Sequence, residues 1–189
     1  MVDPYNITDY QRDTNSLEEF LLFSVVVAGK KASVQNRLLN DFLNTMSYQW
    51  PCSPFNRIRE MISLGTLDKS LRNSKLGQYN RIAKSFTQII NSKLNLRTCT
   101  VEDLEAIHGI GPKTARFFIL YTRPKQRVAV LDTHILRFMR EKLFIPTPKS
   151  TPSGKLYKQL EQQFLDYVDT TGESVAKIDL AIWSEYTRG

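Results

Sequence analysis

The sequence has little cysteine and no long hydrophobic run. Cys52 and Cys99 are the only two cysteines among 189 residues, so the chain cannot supply a four-cysteine zinc or iron–sulfur site. With no pairing pattern, they favour a reducing compartment. No apolar run approaches the roughly 18 residues of a membrane span. The apolar stretch 20–28 follows acidic rather than basic residues, which argues against a signal peptide. We therefore expect no membrane association.

Acidic residues are also scarce relative to basic ones. The chain has 26 Lys and Arg against 19 Asp and Glu, a formal net charge of +7, and only two histidines. Hydrophobic residues at 41% and aromatic residues at 11% exclude a disordered or fibrous protein. No His, Cys or Asp cluster has metal-ligand spacing, so a catalytic metal is not expected. The basic balance favours a polyanionic partner.

Hydrophobic periodicity predicts an all-α chain. Residues 16–19 (Ser-Leu-Glu-Glu) form a capping box that would open an apolar helix ending near Val27. Ser53 and Pro54 predict an N-cap and first helical turn, and residues 100–103 (Thr-Val-Glu-Asp) are predicted to cap a further short helix ending at His108. The only convincing extended run is 128–131, of four residues. Further helices are predicted from Ser33, around 66–72, over 79–93, 100–108, 112–121, 133–144 and 154–168, and from about Ser174 to Tyr186.

The segment 104–115 has the pattern of a helix–hairpin–helix. Gly109 and Gly111 are expected to adopt backbone conformations closed to residues with a Cβ atom, so that two helices meet in a tight turn. Their amides and the free N–H groups of the next helix would then face a phosphate. Apolar residues would close the core between the helices: Leu104, Ile107, Ile110 and Ala115. The pattern favours sequence-independent binding of the DNA backbone over a purely structural hairpin.

Lys113 and Asp132 make this segment a candidate catalytic site. Lys113 lies in the first turn of a predicted helix, where the helix dipole favours the neutral, nucleophilic amine. Asp132 directly follows the extended run and precedes a helix. The amine could attack a sugar C1′ and expel the base, while the carboxylate stabilises positive charge on the sugar. Alternatively, Lys113 is a phosphate contact and Asp132 only an N-cap.

Two sequence segments resemble the helix–hairpin–helix–GPD superfamily of DNA glycosylases. They are GIGPKTA at 109–115 and VAVLDTHILR at 128–137, and GQYNRIA at 77–83 is similar to the helix that precedes the hairpin in this family. The resemblance implies a two-lobed helical fold with the hairpin at the lobe junction. Members with lysine at the position of Lys113 are bifunctional: they release the base through a Schiff base and then nick the strand by β-elimination.

Within the superfamily, the chain looks most like the compact 8-oxoguanine glycosylase/lyases. The segments FSVVVAGK at 23–30 and IDLAIW at 178–183 carry this likeness, and the iron–sulfur cluster of the endonuclease III branch is absent. The resemblance implies that an acidic residue and an aromatic on the last helix build the base pocket. Asp179 and Trp183 lie one turn apart. Alternatively, Trp183 is a core anchor and Asp179 a surface charge. Gln35 is a further pocket candidate.

The remaining site candidates concern the DNA backbone. We expect His108, Gly109, Gly111, Thr114 and His134 to contact it, although His108 could simply cap the preceding helix. The resemblance also implies a monovalent cation held by hairpin carbonyls; no other cofactor is expected. A basic track is predicted from Lys30, Lys31, Arg37, Lys75, Arg81, Lys84, Arg116, Arg123, Lys125 and Arg127.

The sequence thus predicts one glycosylase unit over 1–189. Residues 28–132 would form a central lobe with the hairpin, and 1–27 with 133–189 a second lobe. The expected function is base excision repair of double-stranded DNA that contains a damaged base, 8-oxoguanine first, or an abasic site. We expect a monomer located with the DNA, in a prokaryotic cell, an infected host or a eukaryotic nucleus. The alternatives are a glycosylase for an oxidised pyrimidine or other modified base, and a DNA-binding module that has lost catalysis.

Overall fold

The computed structural model describes residues 2–3, 6–44 and 52–187, and in this part of the chain all regular structure is helical. The described helices are α1 (Thr14–Val26), α2 (Ala32–Leu43), α3 (Pro54–Ser63), α4 (Leu67–Asn73), α5 (Tyr79–Ser92), α6 (Val101–Glu105), α7 (Pro112–Thr122), α8 (Thr133–Lys142), α9 (Gly154–Thr171) and α10 (Val175–Thr187). The all-α prediction is confirmed.

The chain divides into two compact units, Met1–Ile110 and Gly111–Gly189. In the first unit, α1 packs against α2, α3 and α5, and α5 also packs against α3 and α4. Its core is rich in aromatic rings, among them Phe20, Phe23, Phe42 and Phe86. The apolar residues of α1 are buried on almost every side, as expected of a helix surrounded by others.

In the second unit, α10 packs against α7, α8 and α9. Fully buried rings of Phe118, Tyr121, Tyr157 and Phe164 fill its core. Residues 126–132 form neither helix nor strand, so the predicted extended run has no neighbouring strand among the described residues. The boundary between the two compact units lies at Ile110, and α1 belongs to the first unit. The grouping of 1–27 with 133–189 stays a prediction.

Helix starts test the predicted caps directly. Ser53 caps α3, with Pro54 in its first turn, and Thr100 and Asp103 form a reciprocal capping box on α6, as predicted. The predicted capping box at Ser16 is wrong. The N-cap of α1 is Asp13, three residues before Ser16, and the Asp13 side chain accepts from the Ser16 amide. Aspartate is among the best N-caps, so it outcompetes the later signal.

Candidate active site

The turn that follows α6 contains a glycine that no other residue replaces easily. Gly109 has a φ of 81°, in the left-handed region. A Cβ atom on it would lie 2.5 Å from Ser85 Oγ and 3.1 Å from Arg81 Cγ. The predicted need for glycine at 109 is therefore right on two counts, the backbone conformation and the close approach of α5.

Helix α5 holds this turn by three polar side chains on one face. Arg81 Nη1 donates to the Gly109 carbonyl over 3.1 Å, and Ser85 Oγ donates to the His108 carbonyl over 2.5 Å. The His108 amide donates to Gln88 Oε1 over 2.6 Å. Sequence analysis missed Ser85 and Gln88, whose spacing of roughly one turn was the available signal. The His108 imidazole is exposed.

Gly111 is different, and the prediction that it needs a special backbone conformation is wrong. Its φ of −92° and ψ of 178° are extended values that any residue adopts, and a Cβ atom there would meet nothing within 4 Å. Gly111 is the N-cap of α7 and has no side chain to occupy the helix end. The free amides of the first turn remain available to an anion.

Lys113 lies in the first turn of α7, directly after Pro112. It is half-buried, and its amine has neither a hydrogen bond nor an ion pair within the described ranges. Thr114 is buried, which leaves its backbone amide rather than its hydroxyl for a phosphate. An amine without an ion-pair partner is free to react with a ligand.

Asp132 is the N-cap of α8. Its Oδ1 accepts from the amides of His134 and Ile135, over 2.8 and 2.9 Å. No hydrogen bond to Oδ2 occurs in the part of the chain that the structure describes. Asp132 therefore does cap α8, but the cap occupies only one of its two carboxyl oxygens. The other oxygen is available for chemistry.

Asp179 on α10 is buried, and its carboxyl forms a hydrogen bond with the hydroxyl of Tyr121. Burial raises the pKa of Asp179 to about 8; the Tyr121 hydrogen bond opposes this rise, the charge of Asp132 adds to it, and the charge of Lys113 opposes it. The charges of Lys113 and Asp132 thus both act on Asp179. The raised pKa favours the neutral form of this carboxyl near pH 7.

Trp183 is 38% exposed and meets the His134 ring edge-on, with ring centroids 6.4 Å apart. Asp179 is buried and Trp183 is partly exposed. The alternative, in which Trp183 is a core anchor and Asp179 a surface charge, is therefore wrong. Gln35 is buried in the first unit. Gln35 Oε1 and Asp179 Oδ1 are buried oxygens without a hydrogen-bond partner in the described residues. Such atoms are rare in folded proteins and require an explanation, such as a bound ligand.

Two arginines of the predicted basic track are used inside the protein. Arg116 is buried and pairs with Glu161, with 2.6 Å between Nε and Oε1. Arg81 donates to the carbonyls of Gly109 and Val25. Arg116 is buried and cannot be part of an exposed basic track, whereas Arg81 is half-buried and its place in the track stays a prediction. Polarity alone does not distinguish a buried arginine from an exposed one.

The described residues contain no group of three or more His, Cys, Asp or Glu side chains placed to hold a metal ion. The monovalent cation at the hairpin stays a prediction. None of the described helices combines the length and apolar character that crossing a membrane requires.

Comparisons with known proteins converge on one family. The model of the family described as 8-oxoguanine DNA glycosylase matches residues 3–173. An 8-oxoguanine DNA glycosylase/AP lyase of Fusobacterium nucleatum is 26% identical over 113 residues, which are 60% of this chain and 51% of that protein. The chain thus spans about half the length of the curated relative it matches.

Solved structures show a common fold. An 8-oxoguanine glycosylase/lyase of Methanocaldococcus jannaschii, in complex with a 15mer DNA containing 8-oxoguanine, has a TM-score of 0.64 and 23% identity, covering 95% of this chain and 84% of that one. An 8-oxoguanine DNA glycosylase of Thermotoga maritima has a TM-score of 0.62 and 23% identity, covering 89% and 78%.

Proposed function

Because the chain belongs to the 8-oxoguanine DNA glycosylase family, we propose that it is a bifunctional DNA N-glycosylase/AP lyase whose preferred lesion is 8-oxoguanine. The observation that carries this proposal is the cluster in the second unit. There the charges of the Lys113 amine, which has no hydrogen bond or ion pair in the described residues, and of the Asp132 carboxylate both shift the pKa of buried Asp179. The partner is double-stranded DNA with a damaged base or an abasic site, so the protein acts in base excision repair, inside the cell with the DNA.

In the first step, the Lys113 nitrogen attacks C1′ of the damaged nucleotide. The N-glycosidic bond breaks, and the base leaves with the bonding electrons and takes up a proton. Oδ2 of Asp132 stabilises the positive charge that develops on the sugar, since its other oxygen is occupied by the α8 amides. The attached amine then loses one proton, and the sugar ring opens as O4′ leaves C1′ and takes up a proton, which gives a protonated, positively charged Schiff base between Lys113 and C1′.

The Schiff base makes the lyase step accessible. Its positive charge acidifies C2′, so a base removes a proton there and the C3′–O bond breaks. The 3′ phosphate leaves with the electron pair of that bond, which is a β-elimination. Hydrolysis of the imine returns Lys113 as a free amine. The same side chain therefore serves both reactions.

Two residues of the second unit are assigned to the extruded base: Trp183 stacks on it, and the buried Asp179 carboxyl, with one oxygen lacking a partner in the described residues, reads its edge. Gln35 of the first unit, whose Oε1 likewise has no hydrogen-bond partner in the described residues, stays a predicted pocket residue. We assign the backbone contacts to His108, Gly109, Gly111, Thr114 and His134. Backbone amides and a helix start bind phosphate without regard to sequence, as a lesion-searching enzyme requires.

Borohydride trapping tests the proposal. Duplexes with a single 8-oxoguanine are incubated with the protein and sodium borohydride, which reduces an imine to a stable secondary amine. We expect a covalent complex with the wild type and none with Lys113→Gln, which should still bind the duplex. Lys142→Gln is the control, because Lys142 is an exposed lysine in the same unit. An adduct of normal yield with Lys113→Gln would overturn the assignment of Lys113 as the nucleophile. If the wild type forms no adduct, the proposed lyase activity is overturned.

A further inference from the structure

The backbone that leads to Asp132 is buried without being part of any regular element. Ala129, Val130 and Leu131 are each less than 5% exposed, and 126–132 form neither helix nor strand. Buried amides and carbonyls need hydrogen-bond partners. In this segment the partners are side chains rather than the backbone of another strand.

Two residues of α9 take part in three of these hydrogen bonds. Outside α9, Thr151 Oγ1 donates to the Leu131 carbonyl over 3.2 Å, and the Asp132 amide donates to the Val130 carbonyl over 2.7 Å. The Tyr157 hydroxyl donates to the Ala129 carbonyl over 2.8 Å and accepts from the Leu131 amide over 3.1 Å. Glu161 Oε1 accepts from the Ala129 amide over 2.9 Å. Tyr157 and Glu161 lie one turn apart on α9, so one helix face binds the N–H and C=O of Ala129 and the N–H of Leu131, much as a paired strand would.

The same two side chains connect this segment to the helix that carries Lys113. Arg116 lies one turn after Lys113 on α7; its Nε is 2.6 Å from Glu161 Oε1, and its guanidinium carbon is 4.5 Å from the centre of the Tyr157 ring. Burial raises the pKa of Tyr157 above its ordinary value, so the hydroxyl keeps its proton. Arg116, Tyr157 and Glu161 therefore form one buried contact network, here called the α9 clamp.

We propose that Tyr157 and Glu161 are positioning residues, which hold the Ala129–Leu131 backbone so that Asp132 keeps its place relative to Lys113. This proposal rests on the proposed function, because it assigns a role within that reaction. A carboxylate that stabilises developing charge is sensitive to its position, and an error of about 1 Å can cost about 10²-fold in rate. The clamp acts on Asp132 only through the backbone, and neither residue touches the reacting atoms.

The test removes one hydroxyl group. Tyr157→Phe keeps the ring beside Arg116 and deletes both hydrogen bonds to 129–131. We expect single-turnover excision of 8-oxoguanine to slow by about 10-fold or more, with little change in affinity for the lesion duplex. Tyr167→Phe is the matched control on the same helix, because its hydroxyl has no hydrogen bond in the described residues. It should excise at the wild-type rate.

A double variant separates positioning from general destabilisation. If Tyr157 acts through Asp132, then Tyr157→Phe should slow Asp132→Asn little further, because the interaction it serves is already lost. Equal rate losses in both backgrounds, or a wild-type rate in Tyr157→Phe, would overturn the proposal. Glu161→Gln keeps an acceptor oxygen, so its rate of excision should lie between those of the wild type and Tyr157→Phe. This second variant tests the proposal if Tyr157→Phe folds poorly.

Hydrogen exchange supplies a readout that does not depend on activity. The Leu131 amide should exchange faster in Tyr157→Phe, while the Ile135 amide, bonded to Asp132, stays protected. If the Leu131 amide exchanges at the same rate in Tyr157→Phe and in the wild type, the proposed role of the α9 clamp is overturned. A wild type that forms no borohydride adduct would overturn the proposed function instead, so the two failures are distinguishable.

Discussion

The hydroxyl of Tyr121 donates a hydrogen bond to Oδ2 of Asp179 in the interior of the second unit. The other carboxyl oxygen has no hydrogen-bond partner among the described residues. Burial raises the pKa of this carboxyl to about 8, against the effect of the tyrosine and of Lys113. One carboxyl oxygen is thus fixed by Tyr121, while the other makes no hydrogen bond in the described part of the chain.

The raised pKa of Asp179 predicts how stability depends on pH. Its folded pKa of about 8 exceeds the ordinary value of about 3.9. The neutral form therefore stabilises the fold at low pH, and this contribution is lost as the pH rises from about 4 to about 8. Asp179→Asn, which stays neutral, should have a higher melting temperature than the wild type at pH 8, with the difference shrinking towards pH 4.

Melting curves at several pH values measure this. Asp169→Asn is the control of opposite sign, because Arg127 lowers the pKa of the exposed Asp169. The ionised Asp169 stabilises the fold slightly at neutral pH, so Asp169→Asn should melt slightly below the wild type there, and this difference should vanish as the pH falls below the ordinary range of an aspartate. A constant difference between Asp179→Asn and wild type over the whole pH range would contradict the assignment.

The two hairpin glycines should respond differently to substitution. Gly109→Ala places a Cβ atom 2.5 Å from Ser85 Oγ at a φ of 81°. Strain of this kind costs about 1–3 kcal/mol, and each kcal/mol lowers the melting temperature by about 2–4 °C in a protein of this size. Gly111→Ser should leave the melting temperature unchanged, because the backbone there is extended and serine is a good N-cap.

The affinity of the two glycine variants for duplex DNA provides a second measurement. If phosphate approaches the Gly111 amide closely, Gly111→Ser should weaken duplex binding without loss of stability. If Gly109→Ala melts at the wild-type temperature, the need for glycine at 109 is contradicted. If Gly111→Ser binds DNA as well as the wild type, the close approach of phosphate to the Gly111 amide is contradicted.

Local signals predicted the elements well, because the information lies within a few residues. Ser53, Thr100 and the glycine at 109 were identified from caps and turns alone. The predictions that failed depend on contacts between residues that are distant in sequence, or on competition between neighbouring signals. A GxG pattern does not reveal that only Gly109 meets another helix, and the preference for Ser16 over Asp13 overlooked a competing cap.

The site shows the same limit. Asp132 and Lys113 could be singled out because each lies at a helix start. The state of Asp179 could not be predicted, since its pKa depends on burial and on Tyr121, which is distant in sequence. The α9 clamp was missed for this reason too: Tyr157 and Glu161 look like ordinary residues of an amphipathic helix until α9 is placed beside 129–131.

Asp132→Asn should separate capping from catalysis. Asparagine caps helices as well as aspartate does, so the bonds to the His134 and Ile135 amides should remain and the melting temperature should change little. The negative charge is lost, and single-turnover excision should fall by about 10²-fold or more. Duplex binding should persist. A variant that retains near-wild-type turnover would show that Asp132 is only a cap.

Binding to undamaged duplex should depend steeply on salt and hardly on sequence. The logarithm of the affinity should fall linearly with the logarithm of the salt concentration, by about 0.9 per phosphate neutralised. Lys31 is exposed, and Lys31→Ala should reduce this slope by about 1. Arg127→Ala should not, because Arg127 is paired with Asp169. A flat salt dependence would contradict the backbone-binding assignment.

Trp183 tests the base pocket most sharply, because it is large, partly exposed and within ring contact of His134. Trp183→Ala removes a stacking surface worth about 1–3 kcal/mol per base, so single-turnover excision of 8-oxoguanine should slow by about fivefold to 100-fold. Trp183→Phe keeps an aromatic face and should recover most of the rate. Nicking of a preformed abasic site should be unchanged in both variants, since no base then needs to be stacked. Equal losses of excision and nicking, or a loss of thermal stability alone, would instead assign Trp183 to the scaffold of α10.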